Sequence, residues 1–186
     1  MVLRPENFTE QAQEVLNASQ ELMQKEKHNQ WEVEHVFLAL LYQDEGVPVE
    51  VLKMLGVPVD DIRHRLEGIV HEIPALAYET TQIYITPRLQ KLLETAKEEA
   101  DRLKDEYIGT EHLLIALASD DQGKVAGVFG DFGMDKEKIY QALAQVRGGH
   151  RVDDPRAESR YRALEKYSVN LTQLAQQGKL DPVIGR

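Results

Sequence analysis

Cysteine is absent from the 186-residue sequence, aromatic residues make up only 6% of it, and tryptophan occurs once. The absence of cysteine excludes disulfides, thiolate metal sites and a cysteine nucleophile, and it favours a reducing compartment. No apolar run approaches the roughly 18 residues of a membrane-spanning helix, and residues 1–9 lack the apolar core of a secretory signal. We therefore expect a cytoplasmic protein with no membrane partner.

Basic residues are scarce in the first 146 positions, which contain 14 Lys and Arg against 27 Asp and Glu. Residues 147–186 contain eight against five, so the formal charge of −10 divides into an acidic body and a mildly basic tail. An acidic surface repels the phosphate backbone, and we expect no nucleic-acid partner. Hydrophobic residues make up 42% of the chain, enough for a buried core in one or two domains.

The motifs of common catalytic and nucleotide-binding sites are also missing. The sequence contains no G-x-x-x-x-G-K-[ST], G-x-G-x-x-G, G-x-S-x-G or H-E-x-x-H pattern. These absences argue against a phosphate-binding loop, a serine nucleophile on a strand–helix turn and a helical zinc site. We expect no catalytic residue and no enzyme activity in this chain.

The sequence does contain one internal duplication, with an offset of 77 residues. The pair Glu34-His35 aligns with Glu111-His112, and residues 8–70 align without a gap with residues 85–147. Fifteen of the 63 paired positions are identical, and they include glycines, apolar residues and the Glu-His pair. Self-similarity of this kind indicates a structural repeat.

Each copy predicts four helices and no strand of useful length. We therefore expect an all-α domain of two tandem four-helix repeats related by a pseudo-twofold axis. Thr86 before Pro87 predicts the start of the first helix of copy two. Residues 36–41 and 113–118 are almost entirely apolar, so the second helix of each copy should be buried at the centre of its unit.

The expected caps of the fourth helices are aspartates. Asp60 or Asp61 serves copy one, and Asp135 serves copy two. Glycines at 148 and 149 end the duplication, so we expect a repeat domain at residues 1–147 and a second part at residues 148–186. In that second part, a polar connector precedes a helical pattern at residues 157–177, which has too little apolar surface to fold alone.

The repeated Glu-His pair has two interpretations. Two symmetry-related carboxylate–imidazole pairs suit a divalent metal ion. Alternatively, each pair opens a buried helix, with the glutamate at the positive end of the helix dipole and the histidine bonded to a neighbouring loop. Adjacent side chains on a helix point about 100° apart, which favours the second interpretation and no metal site.

The duplicated Glu-His-(apolar)₃-Ala-Leu segment resembles the Clp amino-terminal repeat at the front of AAA+ protein unfoldases. The tail, in residues 161–167, 170–172 and 177–186, resembles the start of the first ATPase module of the ClpB-type disaggregases. The resemblance implies a mobile domain of a hexameric, ATP-driven chaperone of the stress response. Such a domain engages unfolded or aggregated polypeptide and passes it to the ATPase ring, in cooperation with the DnaK system.

The resemblance also implies which residues contact the substrate. These are Thr9, Asp105 and Glu111, with Glu34 as the internal counterpart of Glu111. We expect the first three to edge one groove between the copies.

The nucleotide chemistry is implied for the parent protein alone. Val183 and Ile184 match the edge of the adenine pocket, while the phosphate-binding loop and a coiled-coil segment would follow residue 186. We expect no cofactor in this chain, and ATP with Mg in the parent.

Two alternatives remain open. One is a ClpC- or ClpA-type domain that docks an adaptor protein for a partner peptidase. The other is a free-standing repeat scaffold or metal-binding protein with no motor attached.

Overall fold

The computed structural model describes residues 3–159, and within them each sequence copy forms four helices. This confirms the expected all-α fold of two tandem four-helix repeats. No helix in this part of the chain is long and apolar enough to cross a membrane. After a 3-10 turn at Pro5–Asn7, the elements are α1 (Glu10–Lys25), β1 (Gln30–Trp31), α2 (Val33–Tyr42), α3 (Val47–Met54), α4 (Val59–Glu72), β2 (Tyr84–Ile85), α5 (Pro87–Arg102), α6 (Thr110–Ser119), α7 (Gly123–Asp131) and α8 (Lys136–Arg147).

Capping side chains that the sequence predicts begin three of these eight helices, α1, α5 and α8. The hydroxyl oxygens of Thr9 and Thr86 accept hydrogen bonds from the third backbone N–H of α1 and α5, at 3.1 and 3.3 Å. Asp135 caps α8 in the same way, through the N–H of Lys138 at 2.8 Å. These bonds satisfy N–H groups that a helix leaves open at its start.

Helix α4 begins earlier than expected. It starts at Val59 after Pro58, so neither Asp60 nor Asp61 is its cap, and the expected aspartate cap of copy one is wrong. Val59 is buried, which draws the first turn of the helix towards the core. The two aspartates instead lie in that first turn, where a negative charge is stabilised by the helix dipole.

The core is centred on the second helix of each copy, as the apolar runs predict. Nine of the ten residues of α2 and eight of the ten residues of α6 are buried, and the two helices contact each other. Phe37 of α2 stacks on Phe129 of α7, with ring centroids 5.2 Å apart and planes 10° apart. The two copies therefore share one hydrophobic core.

The start of each copy pairs with the other copy. In the two-stranded parallel sheet, Trp31 of copy one lies opposite Ile85 at the entrance of copy two. The equivalent bridge joins Phe8, at the entrance of copy one, to Ile108 of copy two. Trp31 is buried and its indole N–H donates to the Ser19 hydroxyl at 2.9 Å, so its role is structural.

Substituting Phe37 tests the shared core. We expect Phe37→Ala to lower the free energy of unfolding by about 3–5 kcal/mol, because it removes a buried ring that bridges the copies. Tyr78→Ala, at a side chain that is 68% exposed, is the control and should change it by less than about 0.5 kcal/mol. Urea unfolding followed by Trp31 fluorescence measures both. A loss below about 1 kcal/mol for Phe37→Ala would contradict a core shared between the copies.

Candidate functional site

The four residues expected to contact substrate are all buried. Thr9 is 0% exposed, Glu111 1%, Asp105 6% and Glu34 7%. The structure brings Thr9, Asp105 and Glu111 together around the start of α6, and it places Glu34 at the equivalent start of α2. Val183 and Ile184 lie outside the described residues.

Asp105 is the centre of a buried polar cluster in copy two. Arg147 donates two hydrogen bonds to its carboxylate, at 2.6 and 2.9 Å, His112 donates a third from Nε2 at 2.7 Å, and the N–H of Val152 donates a fourth at 2.9 Å. Burial raises the pKa of Asp105, but these hydrogen bonds outweigh it and lower that pKa to about 2. Asp105 therefore stays ionised and ties the end of α8 to the start of α6.

The hydrogen bonds of His112 determine its tautomer. Its Nδ1 accepts from the backbone N–H of Gly109 at 2.7 Å, so that nitrogen carries no proton. The proton is on Nε2, which donates to Asp105. His112 is therefore a neutral ring that connects the first turn of α6 to the loop after α5.

Copy one contains an equivalent cluster with a second histidine in place of the aspartate. His28 aligns with Asp105, and His35 aligns with His112. The Glu32 N–H donates to Nδ1 of His35 at 3.0 Å, and Nε2 of His35 donates to Nδ1 of His28 at 2.9 Å. Nε2 of His28 then donates to the carbonyl of Ile73 at 3.1 Å. We did not single out His28 from the sequence, although the 77-residue offset pairs it with Asp105.

These hydrogen bonds bear on the two interpretations of the repeated Glu-His pair, as a metal site or as the start of a buried helix. Both nitrogens of His35 and of His112 bond to neighbouring loops, as the second interpretation requires. Within residues 3–159, no group of three or more His, Asp and Glu side chains is arranged to hold a metal ion.

At the start of α2, acidic side chains are partnered by residues of α5. Arg88 lies 3.2 Å from the Glu34 carboxylate and 2.9 Å from that of Asp120. The Thr86 hydroxyl lies 3.4 Å from a carboxyl oxygen of Glu32. Burial, followed by the neighbouring Glu34 charge, raises the pKa of Glu32. A half-buried cation therefore balances part of the acidic charge at this end of the molecule.

The start of α6 is built from different residues. Gln11 occupies the position equivalent to Arg88, and Gly109 occupies the position equivalent to Glu32. The carboxyl groups of Glu111 and, from farther along the chain, of Glu158 occupy the space that Gly109 leaves. Oε1 of Glu158 accepts from the Thr110 N–H at 2.6 Å and from the Thr9 hydroxyl at 3.1 Å.

Glu158 also lies against Glu111. One carboxyl oxygen of each would clash with a Cβ atom on residue 109, so a side chain there would displace both carboxyl groups. Burial, followed by the charge of Glu111, raises the pKa of Glu158 well above its usual range. Nothing in the sequence pattern pointed to Glu158, because it lies outside the duplication, at the start of the helical pattern that we expected at residues 157–177.

Reciprocal pairing of two four-helix repeats, with polar clusters at both central helices, defines a duplicated helical repeat domain. The chain belongs to the Clp repeat (R) N-terminal domain family, which matches residues 7–146. It is 39% identical over 183 residues to the chaperone protein ClpB 2 of Nostoc sp. (strain PCC 7120), covering 98% of this chain. It spans about a fifth (21%) of the length of that curated relative.

Solved structures show the same fold. The N-terminal domain of Hsp104 from Candida albicans matches with a TM-score of 0.73 at 22% identity, over 82% of this chain and 99% of that one. A ClpV N-domain in complex with a VipB peptide matches with a TM-score of 0.61 at 19% identity, over 75% of this chain and 86% of that one.

The two buried histidines of copy one predict acid sensitivity. Burial is the largest cause that lowers the pKa of both, and it lowers that of His35 to about 4. Between pH 6.5 and 4 the unfolded chain therefore binds more protons than the folded chain. The free energy of unfolding should fall as the pH is lowered through this range, by up to about 1.4 kcal/mol per pH unit from His35, and the lowered pKa of His28 adds to the loss.

Urea unfolding at a series of pH values measures this slope. His35→Asn should reduce it, whereas His64→Gln, at an exposed ring on α4, should leave it unchanged. A free energy of unfolding that is constant between pH 6.5 and 4 would contradict the neutral histidine pair.

Proposed function

We propose that this chain is the amino-terminal, substrate-engaging domain of a ClpB-type protein disaggregase. It binds unfolded or aggregated polypeptide and passes it to the ATPase ring of the parent protein. The observation that carries the proposal is family membership over residues 7–146, joined to 39% identity with a ClpB chaperone along nearly the whole chain.

The remaining features of the parent are part of the same proposal. The parent is a cytoplasmic homohexamer that binds ATP and Mg and cooperates with the DnaK system. Residues 1–147 form the repeat domain, and residues 148–186 contain the linker and the beginning of the first nucleotide-binding module. Val183 and Ile184 lie at the edge of that module's adenine pocket. The chain itself contributes polypeptide binding and no catalytic residue.

We assign polypeptide binding to the surface around the starts of α1 and α6. Thr9 and Glu111 lie at these helix ends, and Asp105 positions them through His112 and the α8 end. The ClpV N-domain solved with a VipB peptide has the same fold, which supports a peptide-binding role for such a domain. The acidic body favours basic or amphipathic segments of the substrate. Glu34 belongs to the equivalent surface of copy one.

A titration with an unfolded protein tests this assignment. We expect α-casein to shift the backbone amide resonances of the 186-residue chain around Thr9, Thr110 and Glu111. Glu111→Ala should weaken binding about fivefold or more, which corresponds to about 1 kcal/mol. Glu21→Ala is the matched control. It removes the same carboxylate, but from an exposed position on α1 that lies far from the helix start at Thr9. Shifts spread evenly over the domain, or equal affinities for both variants, would contradict the assignment.

The role in the parent protein requires a separate measurement. Removing residues 1–147 from the full-length chain should slow the recovery of a heat-aggregated enzyme, while ATP hydrolysis by the ring continues. Recovery at the same rate as the intact protein would contradict a substrate-engaging role. Recovery that depends on an added adaptor and a peptidase would favour the ClpC- or ClpA-type alternative.

A further inference from the structure

Residues 153–159, here called the closing segment, lie across the first turns of α1 and α6. The carbonyl of Pro155 accepts from the N–H of Glu10, the first residue of α1, at 2.9 Å. Glu158 accepts from the N–H of Thr110, the first residue of α6, at 2.6 Å. The closing segment thus satisfies N–H groups that both helices leave open at their starts. Ala157 and Glu158 are each 1% exposed.

The equivalent end of copy one needs no such segment. There Glu32, one residue before α2, places its own carboxylate beside the Thr86 hydroxyl, and Arg88 balances Glu34. In copy two the glycine at 109 has no side chain to play this part. Copy two therefore obtains its carboxyl group from a residue that lies 149 positions from Thr9.

The carboxyl groups of Glu158 and Glu111 lie together in a site that is shielded from water. The groups that face it are the Thr9 hydroxyl from α1, and the Thr110 N–H and the Glu111 carboxyl from α6. Within the closing segment, Arg156 is turned to Glu10, at 3.2 Å. Because the pKa of docked Glu158 is raised, the docked form gains a proton relative to a solvated one. Docking is therefore favoured at lower pH and weakened as the pH rises.

Val152, the residue just before the closing segment, is held more firmly than the segment itself. The N–H of Val152 donates to ionised Asp105 at 2.9 Å, and its carbonyl accepts from the N–H groups of Glu106 and Tyr107, at 2.8 and 3.3 Å. Val152 is fully buried. These bonds fix the chain just before the closing segment, so that residues 153–159 can leave while Val152 stays in place.

We propose that the closing segment is a detachable cover, held by Glu158, which polypeptide has to displace before it reaches Thr9 and Glu111. The part of this proposal that names polypeptide as the displacing ligand rests on the proposed function. The existence of a detachable cover does not depend on that function, since the cover is defined by contacts within the chain.

Hydrogen exchange tests whether the cover detaches. In Glu158→Ala the amides of Thr110 and Glu10 should exchange at least tenfold faster than in the unmodified chain. Arg151→Ala, at an exposed residue just before Val152, is the control and should leave both rates unchanged. Glu158→Gln keeps the acceptor oxygen without the charge. The exchange rates of the Thr110 and Glu10 amides in Glu158→Gln, corrected for the intrinsic pH dependence, should stay constant as the pH is raised. Those in the unmodified chain should rise. Unchanged rates in Glu158→Ala would overturn the proposal.

Affinity for α-casein tests the competition. Glu158→Ala should bind several-fold more tightly than the unmodified chain. Because the chain has no cysteine, Gln11→Cys with Ser159→Cys can be bridged by a short bismaleimide, at positions whose native side chains are 3.2 Å apart. This locked form should bind several-fold more weakly than its unbridged form.

The outcomes separate the two ideas. Faster exchange with unchanged affinity in Glu158→Ala would overturn the competition while leaving polypeptide binding intact. Absence of casein binding by every form would overturn the proposed function, and the competition with it. The exchange rates would still decide whether the cover detaches.

Discussion

Neither copy of the repeat can bury its second helix alone, and the rest of the structure depends on this constraint. Helix α2 is apolar nearly all round, so three or four helices of one copy leave part of its surface open to water. Contact between α2 and α6, and between α3 and α8, closes that surface from the other copy. The short bridges at Trp31 and Phe8 then set how the two copies meet. The stable unit is therefore the pair.

Burying the central helices also buries their first turns, and this explains the polar clusters there. A buried backbone N–H without a partner is costly. His35 and His112 accept such a hydrogen bond at the start of α2 and α6, and each donates a hydrogen bond from its other ring nitrogen to a second polar residue. The repeated Glu-His pair thus reflects the satisfaction of helix starts in a dry interior. In this chain the two histidines therefore have a structural role at the starts of α2 and α6.

Features that depend on near neighbours could be predicted from the sequence, whereas features that depend on distant contacts could not. Thr86 and Asp135 cap helices through residues three positions away, and the 77-residue offset predicts two equivalent units. The predicted start of α4 was wrong because burial of Val59 outweighs the capping preference of Asp60 and Asp61. The gathering of Thr9, Asp105 and Glu111 was anticipated, but their burial was not. Glu158, 149 positions from its partner Thr9, covers Thr9 and Glu111, while Arg147 and Val152 enclose Asp105.

The glycine at 109 gives the domain a polarity that its duplication alone would not supply. Two identical halves would present two interchangeable ends, and a partner could dock on either with the same affinity. With Glu32 closing one end and a glycine leaving the other to be filled by Glu158, the ends differ in charge balance and in the length of chain that closes them. A partner that binds at one end of the domain therefore meets different groups from those at the other end.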